Sequence, residues 1–494
     1  MNRSVRRIGL ALAVAFAALV AQLSYVQVFS AAKYAKNPAN RRLLVKEFSI
    51  QRGAIVAGSV VIAESKATSD NLKYLRTYPT AKPGLWAHIS GYYSIVFGRA
   101  GLEQSYNDFL IGAGPENAFE NDLDNFLGRD RKGDTLQLTI DPKLQELAAE
   151  KLGKQRGAVA AIDPDTGEIL ALYANPTYDP NPLSSHDTSA VRKAWDSLAN
   201  SPLKPLLSRA TQERYPPGST FKVVVAAAAL ENGITPASRW PNPSKLDLPN
   251  TNRTLGNFSG GACRGGNPIT MAQGLRVSCN TTFAQIGMQL GAQKLGDMAA
   301  AFGFGHPPVG FDLPAVSSCL QADPHGGCRS DITLDKPQTA FSSIGQFEVR
   351  VTPLQMAMVA AAAGNGGFLV QPHVVREIQD VTGKTIKRIR LDKKGPIFSA
   401  ATADTLRSML IDVVKNGTGK PAAVKGIEMG GKTGTAQTGI PGQNPHVWFI
   451  AFAPHIAIAV VVENGGDLGG DATGGKVAGP IAKALIQARL GIAP

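Results

Sequence analysis

The sequence has no C-x-x-C pair, no H-E-x-x-H and no cluster among its 7 histidines, and its 4 cysteines, Cys263, Cys279, Cys319 and Cys328, are scattered. A zinc centre needs three or four such ligands at short spacing, so no metal site is expected, and nothing calls for an organic cofactor. There is no internal repeat and no long low-complexity tract, and 44% hydrophobic residues with 52 Gly and 32 Pro exclude a disordered or collagen-like chain. Acidic residues are in deficit, 38 against 51 basic ones, for a formal charge of +13. Such a charge suits an anionic neighbourhood: nucleic acid, a lipid surface or an acidic wall polymer. At 494 residues the chain exceeds one hydrophobic core of usual size, so two folded parts are expected.

The N-terminus chooses among these neighbourhoods. Ile8 to Phe29 carry no charge, and Arg3, Arg6 and Arg7 precede them. At about 1.5 Å per residue the run reaches roughly 33 Å, enough for a hydrocarbon core of about 30 Å. Ala13-Val14-Ala15 offers a signal-peptidase site, but only about eight apolar residues would precede it, so an uncleaved anchor over 8–29 is favoured. Lys33, Lys36, Arg41 and Arg42 follow the segment and dilute the positive-inside asymmetry; a tail of residues 1–7 nonetheless belongs in the cytoplasm. The expected protein is single-pass, with its catalytic part outside the cytoplasm. That space permits disulfides. Cys319 and Cys328 flank a turn, LQADPHGG, and are easiest to close, which leaves Cys263 with Cys279; four free thiols are the other reading.

Residues 30–152 mix short strand-like runs with turns and show no catalytic constellation. TLQLTIDPKLQELAAEKL then reads as strand, turn at Asp141-Pro142 and helix, placing a boundary near 153. In 153–494, GAVAAIDPDTGEILALYANP is two apolar runs around Asp163-Pro164-Asp165-Thr166-Gly167, a hairpin signal. HVWFIAFAP and IAIAVVVENGG supply further strands, IAKALIQARL a terminal helix, and VVVAAAALENG and TPLQMAMVAAAAGNGG two apolar helices between them. The expected fold is an α/β domain: an antiparallel sheet with a helical insertion, preceded by a smaller α+β domain and one transmembrane helix.

Three motifs carry chemistry. In PPGSTFK, Ser219 and Lys222 lie one helical turn apart on one face, at a helix start whose free N–H groups favour a developing oxyanion. An ordinary lysine is almost wholly protonated at neutral pH, but the apolar run after Lys222 predicts the burial that would lower its pKa. Ser278-Cys279-Asn280 offers a second hydroxyl to relay a proton and an amide to hold a peptide bond; its plain reading is a helix cap near Thr281. Lys432-Thr433-Gly434-Thr435 belongs to GIEMGGKT, which also satisfies the phosphate-loop pattern, but the GTAQTGIPGQNP that follows is unfit for the helix such a loop must open. An edge strand fits better: Gly434 allows close approach, the Thr435 N–H faces a carbonyl oxygen, and Lys432 with the threonine hydroxyls binds a carboxylate. Neither nucleotide nor nucleic acid is an expected partner.

The ordered set S-x-x-K, S-x-N and K-T-G-T resembles that of the penicillin-binding proteins and serine β-lactamases. Arg52-Gly53-Ala54-Ile55, GLEQSYNDFLIG, TIDPKLQ, SIGQFEVRVTPLQMA and HVWFIAFAP extend the likeness to class B penicillin-binding proteins along nearly the whole chain, although the family's D-R-N-G after R-G-x-I is missing. Residues 30–152 are too few for the glycosyltransferase domain of class A, and a β-lactamase would lack both anchor and first domain. The resemblance implies a D,D-transpeptidase of the cell wall, serving division or cell shape and acylated by β-lactams. Its substrates would be stem peptides ending in D-Ala-D-Ala, and its partner a membrane glycosyltransferase of the shape, elongation and division type. Ser219 would be the nucleophile, Lys222 its base, and Ser278, bridged by Lys222 and Lys432, the proton donor, with Asn280, Thr433, Gly434 and Thr435 holding substrate.

Overall fold

A computed structural model describes residues 3–30, 47–117, 131–389 and 395–493; Lys33, Lys36, Arg41 and Arg42 lie outside them. The first helix, α1 (Arg3–Ser24), runs on through a π-helical turn, Tyr25–Phe29, and none of its residues is buried. By length and composition Arg3–Phe29 is able to cross a membrane.

Strands β1 (Ile55–Ala57), β2 (Val60–Ala67) and β3 (Tyr74–Thr77), helix α2 (Gly101–Ser105) and strand β4 (Thr135–Leu138) form the first part. Helix α3 (Pro142–Leu152) follows, and its sequence signal is realised in detail: Asp141 accepts from the N–H groups of Lys143 and Leu144, and Pro142 fills the first turn. The predicted hairpin is β5 (Gly157–Ile162) with β6 (Ile169–Asn175), turned by Asp163, whose carboxylate accepts from the N–H groups of Asp165 and Thr166. Next come α4 (Lys222–Glu231), a small hairpin of β7 (Lys245–Asp247) and β8 (Thr254–Gly256), then α5 (Met271–Arg276), α6 (Asn280–Leu290) and α7 (Pro353–Gly364). Strands β9 (Val375–Gln379) and β10 (Thr385–Arg388), helix α8 (Ala400–Asn416), strands β11 (Gly430–Ala436), β12 (His446–Ala453) and β13 (Ile456–Val462), and α9 (Ala478–Arg489) complete it.

The main sheet has the order β11-β12-β13-β5-β6 with every neighbour antiparallel, so chain-distant strands close around the helical middle, as expected. Its strands are apolar on both faces because both are covered: α7 packs on β12, β13 and β5, while α3 and α9 pack on the other side. Helices α4 and α7 have no polar face, which suits helices enclosed on all sides. A second sheet, ordered β10-β9-β4-β1-β2-β3, was not foreseen: β9 and β10 come from beyond residue 370 yet extend the strands of the first part. The two parts of the chain therefore interleave.

The segments around Arg52 and GLEQ meet in one buried ion cluster. Glu103 on α2 accepts from Arg52 Nε at 2.9 Å and from Arg76 Nε on β3 at 2.6 Å, and all three side chains are at most 1% exposed. Burial pushes the Glu103 carboxyl up, but Arg76 and Arg52 outweigh it and hold it below the usual range. Gly53 is needed beside them, since a Cβ there would lie 1.9 Å from the Asp134 carbonyl oxygen. Glu103→Ala strands two guanidinium groups in the interior and should cost about 3–5 kcal/mol in denaturant unfolding. Glu168→Ala, which breaks a pair with half-exposed Arg376, should cost under about 1 kcal/mol.

Candidate active site

The segment before Ser219 is held from three directions. Tyr215 donates its hydroxyl to Glu463, a buried carboxylate that also receives Arg209 Nε at 2.8 Å and Arg156 Nη2 at 2.7 Å. Trp448 Nε1 donates to the Pro216 carbonyl at 3.1 Å, and the Gly218 N–H to the Gly345 carbonyl at 2.9 Å. Ser219 then lies in a 3-10 turn, Gly218–Phe221, and Lys222 opens α4. Residues three apart eclipse in a 3-10 turn, so Ser219 and Lys222 share a face. The Ser219 side chain is half-buried, and no hydrogen bond of its hydroxyl is formed among the described residues.

Against this turn lies β11, an edge strand carrying Lys432 to Thr435. The approach is backbone to backbone. A Cβ on Gly218, whose φ is +54°, would come within 2.8 Å of the Thr435 carbonyl oxygen, and one on Gly434 within 2.8 Å of that of Pro217. Only glycine fits at either place. The phosphate-loop reading has no structural basis, because Lys432 is mid-strand and no helix follows it.

Lys222 and Lys432 are both fully buried. Lys222 Nζ donates at 2.8 Å to the Ser278 carbonyl and at 2.8 Å to Asn280 Oδ1. Lys432 Nζ donates at 2.7 Å to Ser278 Oγ and at 3.1 Å to the Thr433 carbonyl. The expected bridging of Ser278 by two lysines is thus modified: the hydroxyl meets Lys432, and Lys222 meets the backbone. Ser278 presents both oxygens from a left-handed conformation, φ +62°, unusual for a residue with a Cβ. Burial pushes the Lys222 amine well below its ordinary value, and the neighbouring Lys432 adds to this. Burial alone lowers Lys432 to about 7. A neutral amine has two N–H groups and one lone pair; on Lys222 the two donors are spent on carbonyl oxygens, leaving the lone pair to take a proton.

Asn280 begins α6, and Cys279 at the cap position makes no capping bond of its own. The cap comes from outside: Asn257 Oδ1 accepts from the N–H groups of Asn280 and Thr281 at 3.0 and 3.1 Å. Asn280 Nδ2 in turn donates to the Gly256 carbonyl. Cys279 is joined to Cys263, and Cys319 to Cys328, leaving no free cysteine. The second bridge lies apart, on a segment paired with Arg350. Of the threonines, Thr435 is half-exposed, whereas Thr433 is buried with its hydroxyl 2.7 Å from that of Thr418. Sequence reasoning missed Asn257 and Thr418, which belong to no motif; Glu463 stood out only as part of the strand segment IAIAVVVENGG.

Comparison with known proteins agrees with this geometry. The model described as the penicillin binding protein transpeptidase domain matches residues 157–487, and the penicillin binding protein A dimerisation domain matches 52–136. The peptidoglycan D,D-transpeptidase PbpA of Mycolicibacterium smegmatis is 38% identical over 99% of both chains. That of Mycobacterium tuberculosis is 36% identical over 99% of both. The chain belongs to the class B penicillin-binding proteins. Among solved members of this family, the ceftriaxone acyl-enzyme of M. tuberculosis penicillin-binding protein A superposes with a TM-score of 0.83 at 35% identity, covering 90% of this chain and 100% of that one. Its penicillin G acyl-enzyme gives 0.81 at 36% identity, covering 89% and 100%.

The Lys432 amine has a folded-state pKa lowered to about 7, against about 10.4 in an unfolded chain. The unfolded state then binds the extra proton between these values. The cost to stability is complete below pH 7 and fades as pH rises toward about 10.4. Lys432→Met should therefore be more stable than the native protein by a few kcal/mol near pH 6, with the gap closing toward pH 10. Paired urea titrations across that range measure it; a difference that does not vary with pH contradicts the assignment.

Proposed function

We propose that this D,D-transpeptidase works by acyl transfer in two steps, with Ser219 as nucleophile and Lys222 as its base. The observation that carries the reading is the buried Lys222 amine, depressed in pKa, its donors occupied and one turn from Ser219. Lys222 takes the Ser219 proton as Oγ attacks the penultimate D-alanyl carbonyl of a stem peptide, while the N–H groups of Ser219 and Thr435 receive the oxyanion. The amide C–N bond breaks as Ser278 protonates the departing D-alanine and takes a replacement proton from Lys432 Nζ. An amine of a neighbouring stem peptide then attacks the ester, passing its proton through Ser278 back to Lys432, and the ester C–O bond breaks as Lys222 returns its proton to Ser219 Oγ, which forms the cross-link and frees Ser219. A β-lactam undergoes the same attack and remains attached through its opened ring.

Carboxylate recognition falls to Lys432 and Thr435, with the Thr433 hydroxyl supported by Thr418. A carboxylate entering beside Lys432 favours its charged form, so ligand binding and proton uptake are coupled there. Asn280, fixed at both ends, holds the peptide bond of the donor. The roles imply a division at about residue 153, between a non-catalytic part (30–152) and a transpeptidase part (153–494). They also imply one membrane pass over 8–29 and a catalytic domain outside the cytoplasm, where its substrate is. Neither matched domain polymerises glycan, which supports a membrane glycosyltransferase as partner in wall synthesis at division or during shape maintenance.

Ser219→Ala should abolish covalent labelling by penicillin, seen as loss of the adduct in intact-protein mass spectrometry. Unfolding stability should change by no more than about 0.5–2 kcal/mol, the cost of removing a hydroxyl at a helix start. Labelling that persists in the variant overturns the assignment.

A further inference from the structure

Between Asp247 and Asp297 the chain has no acidic residue, while Arg253, Arg264, Arg276 and Lys294 fall within that stretch. Arg276 is neutralised by Asp412. Arg253 and Arg264 are exposed and make no ion pair among the described residues, and with exposed Lys245 they outnumber Asp247, the one carboxylate of the β7–β8 hairpin. Between the two arginines stands Phe258, 70% exposed. A lone exposed aromatic is ordinary on a protein surface. This one differs in how it is mounted.

Its neighbour Asn257 caps α6 through Oδ1 and donates Nδ2 to the Gly261 carbonyl at 3.0 Å. Gly256 accepts from the Asn280 side chain at 3.1 Å. Cys263 is bonded to Cys279, and Asn242 closes the base of the loop by accepting from the Cys263 N–H and donating to the Gly266 carbonyl. The loop is therefore fixed to the backbone that holds Ser278 and Asn280. The backbone that carries the ring and the two guanidinium groups is braced, so the loop itself loses little conformational freedom when a ligand arrives.

We propose that the loop from Arg253 to Arg264 is a binding rim for an acidic peptide, taking the stem peptide upstream of the D-alanyl bond that Ser219 attacks. Phe258 covers its backbone, and Arg253 and Arg264 receive its carboxylates. The inference rests on the acyl-transfer reading above and adds a substrate-selecting surface to it.

The test uses the full chain in detergent and measures how a peptide ending in D-Ala-D-Ala slows labelling by a fluorescent penicillin. Two probes are compared: one with a carboxylate side chain upstream of the terminus and its carboxamide counterpart. The native protein should be protected by the acidic peptide at roughly tenfold lower concentration than by the amide. In Arg253→Gln/Arg264→Gln that preference should vanish, and in Phe258→Ser protection by both peptides should weaken. The labelling rate without peptide should stay within about twofold of native in both variants, because penicillin lacks the upstream peptide that the rim takes. Equal protection of the native protein by both probes, or by neither, overturns the rim. An unchanged preference in the arginine variant does so too. Loss of penicillin labelling in the native protein would instead strike the acyl-transfer reading itself.

Discussion

Two amines buried in one site are the constraint on which the rest depends. Water would solvate each ammonium well, but Lys222 and Lys432 are fully buried, and the charge of Lys432 also raises the cost of charging Lys222. The outcome is a Lys222 amine pushed toward its neutral form, with no carboxylate or histidine among its hydrogen-bond partners. Ser278 joins the two, its carbonyl serving Lys222 and its hydroxyl Lys432. Holding a serine at positive φ costs about 1–2 kcal/mol, and it persists because the disulfide at Cys279 and the cap from Asn257 determine the backbone on one side.

The sheet supplies the opposing wall. Edge strand β11 has no partner on its outer side among the described residues, so it can be pressed against the turn at Pro217 and Gly218 and remain open to an extended substrate. That turn is tied to the sheet's interior by Trp448 and to the end of β13 by the hydrogen bond from Tyr215 to Glu463. Chemistry at Ser219 thus rests on elements more than two hundred residues away in sequence. Position there is set by tertiary packing, since a short 3-10 turn preceded by two prolines has little stability of its own.

Much of this was legible from residues alone, for local reasons. The hairpin at Asp163 to Gly167 carries its turn in its own side chains, the start of α3 has both cap and proline, and the apolar runs of α4 and α7 admit only burial. The three motifs pointed to residues that the fold brings together at one site, because their spacing matches a helical turn or a strand. What stayed hidden was long-range. Strands β9 and β10 are short and partly polar; β9 pairs with β4 across more than two hundred residues and β10 with β9, which no local pattern announces. Asn257 and Thr418 act through hydrogen bonds made from loops. The division of labour at Ser278, hydroxyl to one lysine and carbonyl to the other, follows from a backbone angle that its sequence context does not specify.

The account stands on the charge state of Lys222. Its ε-amine can be followed directly by heteronuclear NMR of the full chain labelled with 13Cε,15Nζ-lysine, the resonance being assigned by its loss in Lys222→Ala. The account predicts an amine that loses its proton well below the ordinary lysine value of about 10.4. A cationic resonance that persists to pH 10 would contradict it, because the base proposed for Ser219 would then be an ammonium ion with no lone pair to accept the proton.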